Sequence, residues 1–363
     1  MSIVGGLDVH RRQITFDYLD TDTGQVCCGR IEPADRPGLR AWLARRFTGR
    51  VDVDLAFEAG TGWRYVAEEI TAAGFRAHLA EPAQTAHQRG PKRRAKTDRA
   101  DARLLRDLLL KDDLPRCWIP PGIVLDCRAI LETYRDLREQ HEGWLQRIRA
   151  VLFHHGCPHL GPQNLTTRIG RDRLAQAAGE HLPPTGRWQI ETALGQVDRL
   201  EADLVRLYWQ IAQIARRMRG PRLLREQLYG VGPVTALALT VWLGGSNRGF
   251  SSRGAVRFTG LDVTVHSSDG KRSSHEHLSK QGPPVLRWAL YEAGKLSAQH
   301  RAPDHTYYAA VAERIDGKRA TLAEARKLTR QAIHLLAGLG DDAFTLDALR
   351  GATKPIHPLG LTA

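Results

Sequence analysis

The first thirty residues contain three short segments with the patterns of strands. Residues 3–9 form an apolar run, residues 14–19 alternate between apolar and polar side chains, and residues 26–28 follow a turn that contains Asp22 and Gly24. A period of two is typical of strands that bury one face. The pattern therefore predicts an antiparallel meander of three strands.

Helices and strands then alternate along the chain. The first predicted helix has Pro37 in its first turn, where a missing N–H group costs nothing. The predicted elements are a helix at 37–47, a strand at 51–59, a helix at 62–73, a strand at 77–80 and a helix at 97–110. Three strands followed by this alternation predict an α/β domain of the RNase H-like (RuvC-like) type over residues 1–115.

A linker with three prolines is predicted at 115–122, and the pattern beyond it is helical. Long helices are predicted at 123–155 and 188–218, separated by a loop at 156–186 that is rich in Gly, Pro and Thr. The second helix has a heptad pattern of apolar residues. They are Ile190, Val197, Leu204 and Ile211 at one position and Ala193, Leu200, Leu207 and Ile214 at the other. This pattern predicts a coiled coil with the first long helix, with a second copy of the chain, or with both.

With the rest of the sequence, the predicted fold class is an α/β domain followed by all-α regions. We predict a coiled-coil region at 122–218, a mainly helical C-terminal domain at 219–350 and a loose tail at 351–363. No apolar run is long enough for a membrane span, and the N-terminus lacks the pattern of a secretory signal. We therefore expect a cytoplasmic protein without a membrane partner.

The amino-acid composition favours a polyanionic binding partner. The formal net charge is +13, and the 363 residues contain five cysteines without a C-x-x-C pair. The charge favours nucleic acid, although a generally arginine-rich protein would show the same excess. The cysteines predict reduced thiols and exclude a disulfide framework or zinc ribbon. The segment 154–159 contains three histidines and Cys157, but its spacing is too tight for a tetrahedral zinc site.

Four acidic residues are the candidate metal ligands. Asp8 and Glu58 end two of the predicted strands, whose ends would lie side by side. Asp98 and Asp101 are three residues apart and share one face of a helix. Crowded carboxylates repel each other unless divalent cations neutralise them, and their oxygens suit Mg²⁺ or Mn²⁺. Two such ions can support phosphoryl transfer.

Basic residues surround the acidic pair on the predicted helix. They are Arg89, Lys92, Arg93, Arg94, Lys96, Arg99 and Arg103. A metal site in a basic strip suits a phosphodiester backbone, and a solvated basic loop is the alternative.

The second half of the chain has two further candidate nucleic-acid sites. Gly230 and Gly232 lie in a sequence typical of a helix-hairpin-helix turn, whose amides can approach a phosphate, although a plain interhelical turn has the same pattern. A polar stretch at 267–274 contains four serines together with Lys271 and Arg272, and Lys280 follows it.

Taken together, these motifs resemble one family. The matching segments are Gly6-Leu7-Asp8-Val9-His10, Phe57-Glu58-Ala59-Gly60-Thr61-Gly62, Lys96-Thr97-Asp98-Arg99-Ala100-Asp101-Ala102, Gly230-Val231-Gly232-Pro233, and Ser279-Lys280-Gln281-Gly282 before Leu286-Arg287. Their order and content resemble the insertion-sequence-110 family of transposases and the related Piv-type DNA invertases.

The resemblance implies a DNA recombinase with a composite site. It implies that Asp8, Glu58, Asp98 and Asp101 hold magnesium, and that a serine of the C-terminal domain is the nucleophile. The family spacing places this serine at Ser268, with the adjacent Ser267 as the alternative. The resemblance also implies a homodimer or homotetramer in which the serine of one protomer acts near the acids of another. It further implies a structured non-coding guide RNA that pairs with donor and target DNA.

Three other functions remain open on the sequence. A Piv-like invertase would use the same chemistry on a fixed segment. A junction resolvase would use the four acids and water, without the serine. A helix-hairpin-helix binding protein with a degenerate nuclease domain would not cleave DNA, and the intact set of acids argues against it.

Overall fold

The computed structural model describes residues 2–88, 97–157, 165–245, 249–263, 267–268, 271–272 and 277–347. The chain divides into two compact units, Met1–Pro120 and Pro121–Ala363. The predicted coiled-coil region and C-terminal domain both fall in the second unit, and the division between them stays a prediction. The predicted loose tail at 351–363 lies outside the described residues.

The first unit is built on a six-stranded sheet of order β3-β2-β1-β4-β5-β6. The strands are β1 (Ile3–Val9), β2 (Ile14–Asp20), β3 (Val26–Ile31), β4 (Val53–Glu58), β5 (Arg76–Ala80) and β6 (Arg116–Cys117). β1, β2 and β3 pair antiparallel, which confirms the predicted meander. β4 pairs parallel with both β1 and β5.

The start of the predicted linker belongs to this sheet. Arg116 and Cys117 pair antiparallel with the end of β5, and the Glu81 amide donates to the Pro115 carbonyl at 2.8 Å. The linker prediction was wrong at these two residues, because a strand of two residues is too short to show a period. Its pairing satisfies backbone groups that the edge of β5 would otherwise leave open.

Helices cover both faces of the sheet. They are α1 (Arg36–Arg46), α2 (Trp63–Ala72), α3 (Pro82–His87) and α4 (Asp98–Leu110). One face contributes Leu7 and Phe57 to a core with α1 and α2. The other face contributes Val4 and Ala56 to a smaller core with α4. Since Asp8 is two residues from Gly6 and four from Val4, it lies on the α4 face.

α4 lies directly on the backbone of β1. A Cβ atom at Gly6 would lie 2.0 Å from the carbonyl oxygen of Ala102 and 2.7 Å from the amide nitrogen of Arg106. The Arg106 guanidinium also binds the buried carboxylate of Asp17 on β2. The missing side chain at Gly6 and this buried ion pair together fix the position of α4.

We predict that Gly6→Ala destabilises the first unit by about 1–3 kcal/mol or more, because main-chain atoms of α4 cannot yield as a side-chain tip can. Urea unfolding of the full-length variant measures the loss of free energy. Gly60→Ala is the matched control, since its new methyl group meets no atom within 4 Å. Equal unfolding curves for the two variants would contradict the close contact at Gly6.

The second unit is mainly helical in its described part. Its helices are α5 (Gly122–His154), α6 (Arg168–His181), α7 (Pro184–Arg217), α8 (Arg219–Gln227), α9 (Pro233–Leu243), α10 (Ser252–Phe258), α11 (Pro284–Lys295), α12 (His305–Arg314) and α13 (Gly317–Leu339). Two short strands, β7 (Ser267–Ser268) and β8 (Lys271–Arg272), lie between α10 and α11.

The two long helices pack against each other within the chain. Ile148 and Leu152 of α5 share a buried cluster with Ile190 and Val197 of α7. Coiled-coil geometry, a seam with a second copy and a homodimer or homotetramer stay predictions.

The predicted loop at 156–186 is wrong over α6, which adds Leu174 and Ala178 to this cluster. The glycines and prolines that flank the helix concealed its short apolar pattern.

Candidate active site

The ends of two parallel strands bring Asp8 and Glu58 to the same level of the sheet. Leu7 pairs with Phe57, and Asp8 and Glu58 are the next residue on each strand. Successive side chains of a strand point to opposite faces, so both carboxylates lie on the face that α4 covers. Both residues are half-buried.

Asp98 and Asp101 lie in the first turn of α4. The Thr97 hydroxyl caps the helix by accepting from the Ala100 amide at 3.2 Å. The close approach of α4 to Gly6 then places this turn beside Asp8. Burial raises the pKa of Asp8 above its ordinary value, and the charges of Asp101 and Asp98 raise it further against the opposing effect of His10. Two of the predicted acids, Asp98 and Asp101, therefore lie close enough to Asp8 to act on its charge.

The imidazole of His10 lies close to two of these acids. Its Nε2 atom lies 3.0 Å from Asp8 Oδ2 and 3.6 Å from Asp98 Oδ1. One ligand atom from each of the three residues lies within 4.8 Å of the other two.

The buried hydroxyl group of Thr15 lies on the same face of the sheet as Asp8. Thr15 of β2 is the cross-strand neighbour of Asp8, so the two side chains lie on one face of the sheet. Thr15 Oγ1 is buried and has no hydrogen-bond partner among the described residues. Crowded carboxylate oxygens, an imidazole nitrogen and an unsatisfied hydroxyl suit a hydrated divalent cation, so these residues fit the metal that the four acids predict.

Five of the seven basic residues predicted around the acids lie outside the described residues. They are Arg89, Lys92, Arg93, Arg94 and Lys96.

Arg99 is exposed, and its Nη2 atom lies 2.7 Å from Cys28 Sγ. Arg99 lines a groove of about 540 Å³ together with Arg30 and Asp98. The Nε atom of Arg103 lies 3.6 Å from the buried Asp17 carboxylate, so Arg103 partly neutralises a structural acid.

The glycine turn of the second unit connects α8 to α9. Gly230 has a φ of 76°, and a Cβ atom there would lie 3.2 Å from the Ala293 carbonyl oxygen of α11. Packing therefore explains Gly230 without a nucleic acid. Gly232 is exposed at the N-terminus of α9 and has open space around it, which leaves room for a phosphate.

The candidate nucleophile lies in a small antiparallel ladder. Ser268 pairs with Lys271, and Ser267 pairs with Arg272. The side chains of these four residues lie outside the described part of the structure.

The two ends of this segment are held together. Val263 forms a bridge with Leu278, and the Ser279 hydroxyl donates to the Asp262 carboxylate. Lys280 follows with a φ of 52°, a left-handed conformation that is uncommon for a residue with a side chain. Its amide donates to the Gly260 carbonyl at 3.2 Å. Lys280 is exposed beside the closed end of the segment.

Two family models match the chain. Residues 5–155 match a transposase model of the DEDD IS110 type, and residues 222–309 match the transposase model of the IS116/IS110/IS902 family. The chain belongs to the IS110 family of transposases. The first match contains all four acids, and the second contains the glycine turn and the serine segment. No curated protein matches the sequence.

Family membership makes this transposase an enzyme that cleaves and recombines DNA. Its DEDD domain indicates the use of a divalent metal. Within the described residues, no helix is both long enough and apolar enough to cross a membrane.

The sequence patterns of the transposase predicted no role for His10 and Thr15. His10 follows Asp8 by two residues, which places both on the same side of an extended chain, and this spacing was the available signal. Thr15 had no such signal, because only the register between β1 and β2 brings it beside Asp8.

Proposed function

We propose that this transposase cuts and rejoins DNA strands with two chemical groups: a metal site formed by Asp8, Glu58, Asp98 and Asp101, and a serine nucleophile at Ser268. The observation that carries the proposal is the convergence of Asp8, Asp98 and Asp101: burial raises the pKa of Asp8, and the charges of Asp101 and Asp98 raise it further. Carboxylates crowded in this way are stabilised by divalent cations.

We further propose that the first unit is RNase H-like. The strand order β3-β2-β1-β4-β5 supports this, with an antiparallel meander joined to two parallel strands. The placement of acids at the ends of β1 and β4 and at the start of α4 also supports it.

The acids would hold Mg²⁺ or Mn²⁺, which would stabilise negative charge on the reacting phosphate when bound. The carboxylates themselves would fix the cation by their positions on two adjacent strands and one helix. α4 would exclude water from one side of the site, since it contacts the backbone of β1 directly.

Ser268 would act by nucleophilic catalysis. A serine hydroxyl is a weak nucleophile until a base takes its proton. In the proposed step the Oγ–P bond forms and a P–O bond of the DNA strand breaks, while the released deoxyribose oxygen takes a proton. The phosphoserine ester conserves the energy of the broken bond. Attack by another strand end reverses the step and releases the serine, so rejoining needs no ATP.

A guide RNA is the second part of the proposal. The net charge of +13 favours a polyanionic partner. Exposed cationic groups at Arg99 and Lys280 support contacts with a nucleic-acid backbone. Base pairing by an RNA would supply sequence specificity that such contacts lack.

The test is to incubate the protein with labelled element-end DNA and Mg²⁺, with and without the non-coding RNA that flanks the coding sequence. We expect a protein–DNA adduct that survives denaturing electrophoresis and requires both Mg²⁺ and RNA. Cleavage without an adduct would favour a hydrolytic junction nuclease. An adduct of equal yield without RNA would exclude RNA guidance and leave the serine chemistry intact.

A Piv-like invertase remains the second candidate function. It would form the same adduct on the ends of a fixed invertible segment. A labelled segment with inverted ends distinguishes the two activities, because inversion retains the segment in the product whereas transposition moves it to a new site.

A further inference from the structure

The imidazole of His10 lies between two of the proposed metal ligands. Its Nε2 atom is 3.0 Å from Asp8 Oδ2 and 3.6 Å from Asp98 Oδ1. Neighbouring ligands of an octahedral ion with bonds of about 2.1 Å lie about 3 Å apart. Both distances from His10 Nε2 are therefore close to the spacing of adjacent ligands on a single cation, and the Asp8 and Asp98 ligand atoms lie within 4.8 Å of each other.

The turn between β1 and β2 holds His10 in this position. The His10 amide donates to the Gln13 carbonyl at 3.0 Å, which closes the turn. The Gln13 side-chain amide donates to Asp98 Oδ2 at 3.1 Å. This bond occupies one oxygen of Asp98 and leaves Oδ1 directed toward His10. Hydrogen bonds of this kind commonly orient the carboxylates that bind metals.

Thr15 supplies an independent indication of a ligand at this place. Its hydroxyl is buried, lies beside Asp8 and has no hydrogen-bond partner among the described residues. A water molecule bound to a cation at Asp8 would satisfy it.

We infer that His10 Nε2 is a ligand of the cation held by Asp8 and Asp98. The site then has one nitrogen donor among its oxygens, and it binds Mn²⁺ more tightly than Mg²⁺. Mg²⁺ prefers oxygen ligands, and imidazole shifts the preference toward transition metals. The inference rests on the proposed function, in which the four acids bind a divalent cation. Gln13 is a positioning residue, since it acts through Asp98.

The alternative is a protonated His10 that forms an ion pair with the acids and leaves when the cation binds. Both arrangements give the same distances, but they differ in the bonds to the metal. A spectroscopic measurement of nitrogen bonded to the cation separates them.

The experiment uses the full-length protein with Mn²⁺ and no DNA. Electron spin echo spectroscopy detects a nitrogen nucleus bonded to Mn²⁺. We expect nitrogen coupling in the wild type, and labelling the histidines with ¹⁵N should change its frequency. We expect His10→Ala to abolish the coupling and to weaken Mn²⁺ binding about tenfold or more. Mg²⁺ affinity, measured by competition, should fall less.

His87→Ala is the matched control, because His87 is exposed on α3 and should leave the spectrum unchanged. The His10 side chain is 53% exposed, so its removal leaves the core intact, and circular dichroism checks the fold. If Mn²⁺ binding depends on Asp8 but the spectrum shows no nitrogen coupling, His10 is not a ligand, and the proposed metal site at the acids still holds. If Asp8→Asn does not affect Mn²⁺ binding, the inference about His10 and the proposed metal site are both wrong.

Discussion

Asp8→Asn is expected to lower the rate of DNA cleavage about a thousandfold or more, which corresponds to about 4 kcal/mol in activation free energy. An amide has the size of the carboxylate but not its charge, so the cation would lose a central ligand. Stability should be unchanged or higher, because burial and the charges of Asp101 and Asp98 already disfavour the ionised Asp8. Cleavage of labelled DNA in Mg²⁺ and urea unfolding measure the two effects.

Asp22→Asn is the control for this variant. Asp22 is an exposed acid in the turn between β2 and β3, and it lies in the same unit. The Asp22→Asn variant should cleave DNA at the wild-type rate. DNA binding, measured by gel shift, should be retained in both variants. A cleavage rate for Asp8→Asn within tenfold of the wild type would exclude Asp8 as a metal ligand.

Ser268→Ala is expected to abolish the covalent protein–DNA adduct while DNA binding persists. The variant removes the only atom that would form the bond to phosphorus and leaves the four acids unchanged. Denaturing electrophoresis of labelled DNA measures the adduct, which should fall below detection. Free cleaved ends should not accumulate, because the proposed cleavage step is the formation of the serine ester.

Ser267→Ala is the matched variant on the same short strand. The Ser267→Ala variant should retain the adduct, because the spacing of the family motifs assigns the nucleophile to Ser268 and not to its neighbour. Loss of the adduct in Ser267→Ala alone would move the nucleophile to Ser267. Wild-type cleavage in both variants would contradict a serine mechanism and favour attack by water.

Much of the first unit was predictable because its sheet buries each face in a regular way. Alternation at 14–19 and 51–59 predicted β2 and β4, and a proline marked the first turn of α1. β6 and α6 were missed for physical reasons. An edge strand of two residues has no period, and the short helix α6 is stabilised by packing against the two long helices.

The positions of the four candidate acids on their strands and helix could be predicted from the sequence, but their neighbours could not, and their role as metal ligands stays a prediction. Asp8, Glu58, Asp98 and Asp101 lie where strand ends and a helix start can be located from pattern alone. The neighbours of these acids depend on contacts that a local pattern does not contain. Thr15 reaches Asp8 through strand register, and Gln13 reaches Asp98 across 85 residues of sequence.

The contact between β1 and α4 bears on how this transposase can evolve. Most helices rest on a sheet through side chains, so substitutions in the core shift the helix gradually as sequences drift. At Gly6 the helix rests on main-chain atoms of Ala102 and Arg106, which are the same whatever side chains those two positions carry. The separation of Asp8 from the acids of α4 is therefore buffered against mutation. Side-chain changes at positions 102 and 106 would leave the distance between Asp8 and the first turn of α4 unchanged, whereas a side chain at position 6 would increase it.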